Sequence, residues 1–399
     1  MPTNFSSVLD LTALEQAARI RSGELSSEEL TRGYLARIGA HNPKLTAFVQ
    51  VFAARALRAA RKKDAERKAG GTLPPFHGVP ICIKDLNLVR GSFTRFGSRA
   101  MRYVWSPVDD QTVAQLRRGG FVMVGKTATS ELGAMPVTET DLDPPSRNPW
   151  NPAHSPGGSS GGTGAAVAAG LVPIGQGNDG AGSIRLPASF CGLYGIKPSR
   201  GRVRNPFGFN DKRILYNCGP LARTVDDAAA MLDVMAGLTV GKPHWAPRPP
   251  RTFATMARER TGPLRVRFVI HTSIAQTNAD VEAAVRRALR TLEQLGHHVE
   301  EMAPPSGSIE EFLPLWQKLI GDVPVLNFVK TQPITRWLGE AGRKLRAGEV
   351  RALYETLKQR FETWFGDADL VVTPTAPRAA PRVGLAQGKS ARDGFFEAA

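Results

Sequence analysis

The sequence predicts an α/β protein whose largely parallel sheet is covered by helices. After residue 71, short apolar runs of strand length alternate with amphipathic helical stripes, which is the pattern of strand–helix–strand units. The chain has 399 residues, of which 42% are hydrophobic and 22% are charged. This composition supplies a large core and excludes a mainly disordered chain.

A separate helical segment is predicted for residues 1–70. Capping boxes of the form Ser/Thr-x-x-Glu begin at Thr12 and at Ser26 and mark two helix starts. Glycines and prolines at residues 70–75 then end the helical pattern. We therefore expect a helical segment that packs on the core, followed by a single α/β core over residues 71–399.

Within that core, apolar runs predict the strands, and apolar stripes at helical spacing predict the helices. Strands are expected at residues 79–83, 121–124, 171–175 and 266–270. Helices are expected at residues 112–118, 165–169, 225–236, 281–295 and 350–364. This order favours parallel strands, because parallel neighbours need a crossover connection.

Charge and cysteine content limit the classes of partner. The net charge is +16, yet the basic residues are dispersed and only 7% of residues are aromatic, which argues against a nucleic-acid surface. Cys82, Cys191 and Cys218 form an odd, sparse set, so neither a disulfide framework nor a zinc site is predicted. No apolar run has the roughly 18 residues of a membrane span, and the N-terminus does not resemble a secretory signal. The sparse cysteines favour a reducing, cytoplasmic setting.

Two segments are unusually rich in glycine and serine, residues 155–164 (SPGGSSGGTG) and residues 177–187 (GNDGAGSIRLP). So many glycines are costly in conformational entropy unless the backbone must approach something closely. A phosphate cradle is one interpretation, but the segments have neither the GK[ST] ending of a P-loop nor the G-x-G-x-x-G of a dinucleotide fold.

A nucleophile elbow is a second interpretation, because residues 157–161 fit the pattern G-x-S-x-G. An elbow would need a histidine further along the chain. None of the four that follow lies in a segment of small residues or in one marked by Pro or Gly. They are His244, His271, His297 and His298.

A third interpretation makes a lysine the base for a serine nucleophile. Lys84 follows the apolar run at residues 79–83 and so ends a predicted strand, where sites form in open α/β sheets. A lysine takes a proton from a hydroxyl only when it is neutral, and burial lowers its pKa. A second serine could relay the proton, and the N–H groups of Gly180, Ala181 and Gly182 could bind an oxyanion.

These residues closely resemble the hallmark of the amidase signature family. The two halves of that hallmark correspond to residues 157–162 and 183–188, and the family's lysine motif corresponds to residues 78–85. Ser159 and Ser183 stand 24 positions apart, as the relay and nucleophilic serines of the family do. Further matches lie at residues 125–127, 147–152, 191–198, 219–225 and 373–375.

The resemblance implies a mixed, twisted sheet with helices on both faces and an amide-hydrolysing site. In that pattern Ser183 is the nucleophile, Ser159 is the relay serine after a cis peptide bond, and Lys84 is the base. Residues 180–183 supply the oxyanion hole. The resemblance also implies an acyl-enzyme, a small non-peptide amide as the substrate, and neither a metal nor an organic cofactor.

Three neighbouring residues are expected to support this site. We predict that Asp179 and Arg185 pair and brace the loop of the nucleophile, and that Ser160 forms local hydrogen bonds. Ala181 replaces a glycine of the family pattern, and a positive φ there would strain it by about 1 kcal/mol. By analogy, the turn at residues 129–135 is expected to line the pocket.

Two other functions stay open at this point. One is the amidotransferase subunit that amidates misacylated tRNA, although residues 215–220 (LYNCGP) lack its Ser-x-Asp-Gln-Ile-Gly-Pro-like run. The other is an inactive homologue, because the residues after 375 do not resemble the last strands and helix of the family. A C-terminal part shortened in this way is expected to lower stability. Neither the particular amide nor the oligomeric state follows from the sequence, and a homodimer stays open.

Overall fold

The computed structural model describes residues 8–204, 215–236, 246–272, 274–325 and 327–398. Contacts divide the chain into two compact units. The first, called the sheet unit, extends to Arg258 and includes Arg382–Leu385, whereas the second unit contains Glu259–Pro381 and Ala386–Glu397. The division falls after residue 258, and the N-terminal helices belong to the sheet unit.

A six-stranded mixed sheet forms the centre of the sheet unit, which confirms the predicted fold class. Its strands are β1 (Phe48–Val51), β2 (Pro80–Lys84), β5 (Val122–Thr127), β6 (Ile174–Asp179), β7 (Tyr194–Gly195) and β8 (Asn217–Ala222), in the order β1-β5-β2-β6-β8-β7. Strands β5, β2 and β6 are parallel neighbours, β1 and β8 run against them, and β7 runs against β8. Four of these six strands thus point the same way. A separate hairpin consists of β3 (Ser92–Thr94) and β4 (Val104–Ser106).

Helices cover both faces of the six-stranded sheet. They are α1 (Ala13–Ser22), α2 (Ser27–Leu45), α3 (Ala53–Lys68), α4 (Gln111–Arg118), α5 (Gly161–Ala168), α6 (Arg185–Cys191), α7 (Val225–Met235) and α8 (Phe253–Met256). Ile81 and Ile83 of β2 lie in one buried cluster with residues of α1, α2, α4 and α7. Cys82 lies in a second cluster with residues of α3 and α5. Since successive residues of a strand point to opposite faces, each face has a core of its own.

The N-terminal segment is an integral part of this core. Both predicted capping boxes are present, Thr12 with Glu15 and Ser26 with Glu29. Residues 48–51 were expected to be helical, but they form β1 and pair antiparallel with β5 at the edge of the sheet. Their aromatic and β-branched side chains favour a strand, and the pairing partner lies some 75 residues away in sequence, beyond the reach of a local pattern.

One central strand differs from the expectation in a way that matters for the site. The strand predicted at residues 171–175 is Ile174–Asp179 instead, so it carries polar residues into the interior. Glycine makes this close packing possible, since a Cβ on Gly177 would lie 2.6 Å from Leu221 Cδ1 and 3.0 Å from Ser160 Oγ. The apolar run was thus a poor guide to the strand, because glycines within β6 let neighbouring side chains pack against its backbone.

The second unit has a smaller parallel sheet of its own. Its strands are β9 (Arg265–Phe268), β10 (His298–Glu301) and β11 (Leu370–Val372), in the order β10-β9-β11. Its helices are α9 (Ala279–Gln294), α10 (Ile309–Gly321), α11 (Pro333–Lys344), α12 (Ala347–Phe365) and α13 (Ala391–Ala398). Across the described parts of both units, no helix combines the length and the apolar character of a membrane span.

We predict that Gly162→Ala in α5 destabilises the fold, whereas Gly39→Ala in α2 does not. A Cβ on Gly162 would lie 2.6 Å from the Ala47 carbonyl oxygen and 2.7 Å from the Ala128 carbonyl oxygen, so backbone would have to move. Gly39 is exposed with open space around it, so alanine there should stabilise α2 by up to about 1 kcal/mol. Urea titration should show that Gly162→Ala lowers the free energy of unfolding by about 1–3 kcal/mol. Equal free energies for the two variants would contradict this account.

Candidate active site

The candidate site begins at the carboxyl end of β2. Lys84 is the last residue of this strand and is fully buried. Its Nζ lies 2.7 Å from Ser159 Oγ. Burial lowers the pKa of Lys84 to about 7, although the Asp179 carboxylate acts in the opposite direction. A large fraction of this amine is therefore neutral near pH 7 and able to accept a proton from a hydroxyl.

Ser159 lies in the first Gly/Ser-rich segment, directly before α5. The peptide bond between Gly158 and Ser159 is cis. Glycine is required before this serine, since a Cβ on Gly158 would lie 2.7 Å from the Met135 carbonyl oxygen. A Cβ on Gly133 would lie 3.3 Å from Ser159 Oγ, so the turn at residues 129–135 packs directly against the serine.

Ser183 lies in the short loop between β6 and α6, in the second Gly/Ser-rich segment. Its carbonyl oxygen accepts a hydrogen bond of 3.2 Å from the Ser160 N–H. This bond joins the two Gly/Ser-rich segments one residue away from Ser159. Ser183 is 7% exposed, compared with 2% for Ser159 and none for Lys84, so exposure increases from the amine to the outer serine.

Asp179, the last residue of β6, organises the loop of Ser183. Its carboxylate accepts hydrogen bonds from the Gly182 N–H at 2.8 Å and the Ile184 N–H at 3.2 Å. It also forms a two-pronged ion pair with Arg185, whose Nε and Nη2 both lie 2.9 Å from its oxygens. Burial alone would raise the pKa of the Asp179 carboxyl, but Arg185 and the backbone N–H groups hold it below its ordinary value. The pair expected from the sequence is thus present and anchors both sides of Ser183.

The N–H groups of the loop before Ser183 differ in whether they already have an acceptor. The Gly182 N–H, expected to bind the oxyanion, already donates to Asp179. The N–H groups of Gly180, Ala181 and Ser183 donate to no acceptor within the described residues. The positive φ of this loop, 122°, belongs to Gly182, so Ala181 carries none of the strain considered above.

Ser160 forms a long-range clamp and not the local hydrogen bonds that were expected. Its Oγ donates to the Asn178 carbonyl oxygen at 3.1 Å and accepts from the Asn178 N–H at 3.2 Å. Ser160 is completely buried. It therefore ties the start of α5 to β6, 18 positions further along the chain.

A buried polar network beneath Lys84 was not predicted from the sequence. The Lys84 N–H donates to Gln176 Oε1 at 3.1 Å. Gln176 and Asn178 both donate to Asn87 Oδ1, and Asn178 Nδ2 also lies 3.1 Å from Cys218 Sγ. Burial raises the pKa of the Cys218 thiol to about 11, so it stays protonated. A cluster of Asn and Gln at strand ends could have signalled this network.

Three of the four histidines of the nucleophile-elbow interpretation lie in the second unit. His271, His297 and His298 belong to the second unit, and His244 lies outside the described residues. Nδ1 of His297 accepts from the Leu264 N–H, and Nδ1 of His271 accepts from the Thr277 N–H. Over the described ranges, no three His, Cys, Asp or Glu side chains form a group that could hold a metal ion.

Comparison with known proteins supports the resemblance of the hallmark segments. The Amidase family model matches residues 29–320, a range that contains Lys84, Ser159 and Ser183. The chain belongs to the amidase family. Members of this family hydrolyse amides.

The relatives and a solved structure agree with this assignment. The chain is 35% identical over 406 residues to the 6-aminohexanoate-cyclic-dimer hydrolase of Paenarthrobacter ureafaciens, covering 94% of this chain and 80% of the relative. It is 33% identical over 388 residues to the acylamidase of Rhodococcus erythropolis, covering 92% and 80%. A structure of 6-aminohexanoate cyclic dimer hydrolase with substrate has a TM-score of 0.87 at 29% identity, covering 98% of this chain and 87% of that one.

We predict that Asp179→Asn weakens both the fold and the amidase activity. The amide would lose the ion pair with Arg185 and would turn an N–H₂ group toward backbone donors. The free energy of unfolding should fall by about 1–3 kcal/mol in urea titrations, and kcat/KM should fall with it. Arg185→Met should have a smaller effect, because the Arg185 side chain is 47% exposed and the backbone bonds to Asp179 remain. An Asp179→Asn variant with unchanged stability and activity would contradict the bracing role.

Proposed function

We propose that this amidase hydrolyses small, non-peptide carboxylic amides with Ser183 as the nucleophile, Ser159 as the proton relay and Lys84 as the base. The observation that carries the proposal is the 2.7 Å contact between Ser159 Oγ and the fully enclosed amine of Lys84. A serine hydroxyl is a weak nucleophile until a base accepts its proton. Lys84 is a competent base because burial has brought its pKa to about 7.

In this mechanism the proton of the nucleophile moves toward the buried lysine while the nucleophile attacks the substrate. Ser183 Oγ forms a bond to the amide carbonyl carbon and gives its proton to Ser159 Oγ, which gives its own proton to Lys84 Nζ. The tetrahedral intermediate then collapses to an acyl-enzyme. Lys84 returns the proton through Ser159 to the leaving amine, so the C–N bond breaks without releasing an amide anion. Water attacks the acyl-enzyme by the same route and releases the acid.

The loop before Ser183 is suited to bind the negative charge of the intermediate. Three of its N–H groups, those of Gly180, Ala181 and Ser183, have no acceptor among the described residues, whereas the Gly182 N–H is held by Asp179. Fixed N–H donors stabilise an oxyanion more than a ground-state carbonyl when they are held in advance. The Asp179–Arg185 pair supplies that rigidity.

The relatives favour small amides as the substrate class. One is named an acylamidase and the other a hydrolase of the 6-aminohexanoate cyclic dimer. We extend only the amide class to this chain. We also retain the cytoplasmic setting predicted from the sparse and odd set of cysteines.

We predict that Lys84→Met and Ser183→Ala each lower kcat/KM for a panel of small amides by about 10²–10⁴-fold. Both side chains are replaced by ones of similar or smaller size, so the proteins should stay folded in circular dichroism. Ser146→Ala is the matched control, because Ser146 is a buried serine whose Oγ, among the residues that the structure describes, bonds only to the Thr46 carbonyl oxygen. A fluorophosphonate should label the native enzyme and the control but not Ser183→Ala. Undiminished hydrolysis by Lys84→Met would overturn the proposal.

A second expectation concerns pH. Lys84 must be neutral to accept a proton, and its pKa is lowered to about 7 by burial. Below that value the amine is protonated, so kcat/KM should fall about tenfold for each pH unit, and it should level off above it. The measurement is kcat/KM for one amide from pH 5 to pH 9. A profile that stays level down to pH 5 would exclude Lys84 as the base.

A further inference from the structure

The described part of the sheet unit contains two fully buried lysines on neighbouring strands, and they differ in whether a carboxylate lies beside the amine. Lys84 contacts a hydroxyl, and within the described residues it has no carboxylate at ion-pair distance. Lys126 of β5 has one, since its Nζ lies 2.6 Å from Asp85 Oδ1. Asp85 is the residue directly after Lys84. A buried charge pair thus includes the residue next in sequence to the lysine whose amine must stay uncharged.

The strand register places this pair and the Lys84 side chain on opposite faces of the sheet. In the parallel pairing of β2 with β5, Ile83 lies beside Lys126 and Lys84 lies beside Thr127. Paired residues share a face, so Lys126 lies on the Ile83 face. Thr127 Oγ1 is 2.7 Å from Thr163 Oγ1 of α5, which places Lys84 on the face of that helix. The pair therefore acts on the backbone of Lys84 and not by touching its amine.

Asp85 is anchored through every polar group it has. Its N–H donates to the Thr127 carbonyl oxygen at 3.0 Å, and its carbonyl oxygen accepts from the Phe96 N–H at 3.1 Å. Its Oδ2 accepts from the Arg95 N–H at 3.1 Å, and its Oδ1 faces Lys126. The residue after Lys84 is thus fixed from β5 and from the hairpin segment at once.

Further polar contacts hold the Lys126 amine beside Asp85. Besides the carboxylate, its Nζ has Thr94 Oγ1 at 2.7 Å and the Phe93 carbonyl oxygen at 3.3 Å. Lys126 thus has two hydrogen bonds and one ion pair within the described residues. Burial lowers the pKa of Lys126 and raises that of Asp85, and each partner opposes the shift of the other. Wherever the shared proton sits, the pair has no net charge.

We propose that Asp85 and Lys126 are positioning residues for Lys84: their ion pair holds the end of β2 and adds no net charge beside the amine. This inference rests on the proposed role of Lys84 as the base. Either charge alone would act on the amine, because Coulomb interactions are strong at low local dielectric. Asp85 by itself would favour protonated Lys84, and Lys126 by itself would oppose it.

The test is the acid limb of kcat/KM in single and double variants. Lys126→Met should move the limb to higher pH by about one unit, because Asp85 loses its 2.6 Å partner and keeps only the more distant Arg95, whose Nε lies 3.9 Å from Oδ2. Asp85→Asn should move it to lower pH by a similar amount, and the Asp85→Asn/Lys126→Met pair should return it to the native position. A pair with only a structural role would lower kcat without moving the limb in opposite directions.

The other charged or titratable groups around Lys84 and the pair stay unchanged in these variants. They are Arg95 after β3, Asp110 before α4, Asp179 at the end of β6 and Cys218 in β8. Asp109→Asn is the matched control, since Asp109 forms a 2.7 Å ion pair with Arg117 in the same unit. That variant should leave the limb in place.

Two further measurements keep the outcome decisive. If a single variant does not fold, the double variant still tests the inference, because replacing both charges with neutral groups is often tolerated. If the acid limb of the double variant differs from that of the native enzyme, this result contradicts the inference. If a variant turns over too slowly, the NMR titration of ¹³C-labelled lysine reads the pKa of Lys84 directly. If the acid limbs of Lys126→Met and Asp85→Asn shift in the same direction or not at all, and Lys84→Met is inactive, the positioning role of Asp85 and Lys126 is overturned but the proposed function is not. An active Lys84→Met overturns the proposed function as well.

Discussion

An amine enclosed by protein on every side is the constraint on which the rest of this site depends. Lys84 is fully buried, and desolvation of a charge there is so costly that its pKa falls to about 7. The same burial requires covered strand neighbours on both sides, which the six-stranded sheet with its two cores provides. It also requires that the amine has a polar partner, and Ser159 Oγ is that partner at 2.7 Å.

A second requirement is that the two Gly/Ser-rich segments, residues 155–164 and 177–187, lie next to each other in the fold. Two contacts bring them together: the side-chain bonding of Ser160 with Asn178 and the backbone bond from Ser160 to Ser183. The carboxylate of Asp179 then fixes the Ser183 loop within the second segment. Close backbone approach is possible only because glycine stands where a Cβ would collide, as at Gly158. Close packing at glycines and buried hydrogen bonds thus hold these segments together, whereas large apolar side chains hold together other parts of the core.

Much of this arrangement could be predicted from the sequence, and the limits have a physical cause. Lys84, Ser159, Asp179 and Arg185 stand in short segments of distinctive composition, so the contact of Lys84 with Ser159 and the pair of Asp179 with Arg185 could be anticipated. What could not be anticipated depends on register between distant strands. The edge strand β1, the Asn178 network and the use of the Gly182 N–H by Asp179 all follow from which backbone faces which. The Asp85–Lys126 contact likewise exists only because β2 and β5 pair in one particular register.

The burial of Lys84 has a consequence for its chemistry with small reagents. A lysine with a lowered pKa is normally the first amine that acylating or aldehyde reagents modify, because more of it is unprotonated. Here the cause of the lowered pKa, complete enclosure, also denies such reagents access. In the folded chain Lys84 is therefore partly unprotonated near pH 7 but inaccessible to reagents in the solvent. Covalent modification of this amine would therefore be a marker of opening of the sheet unit.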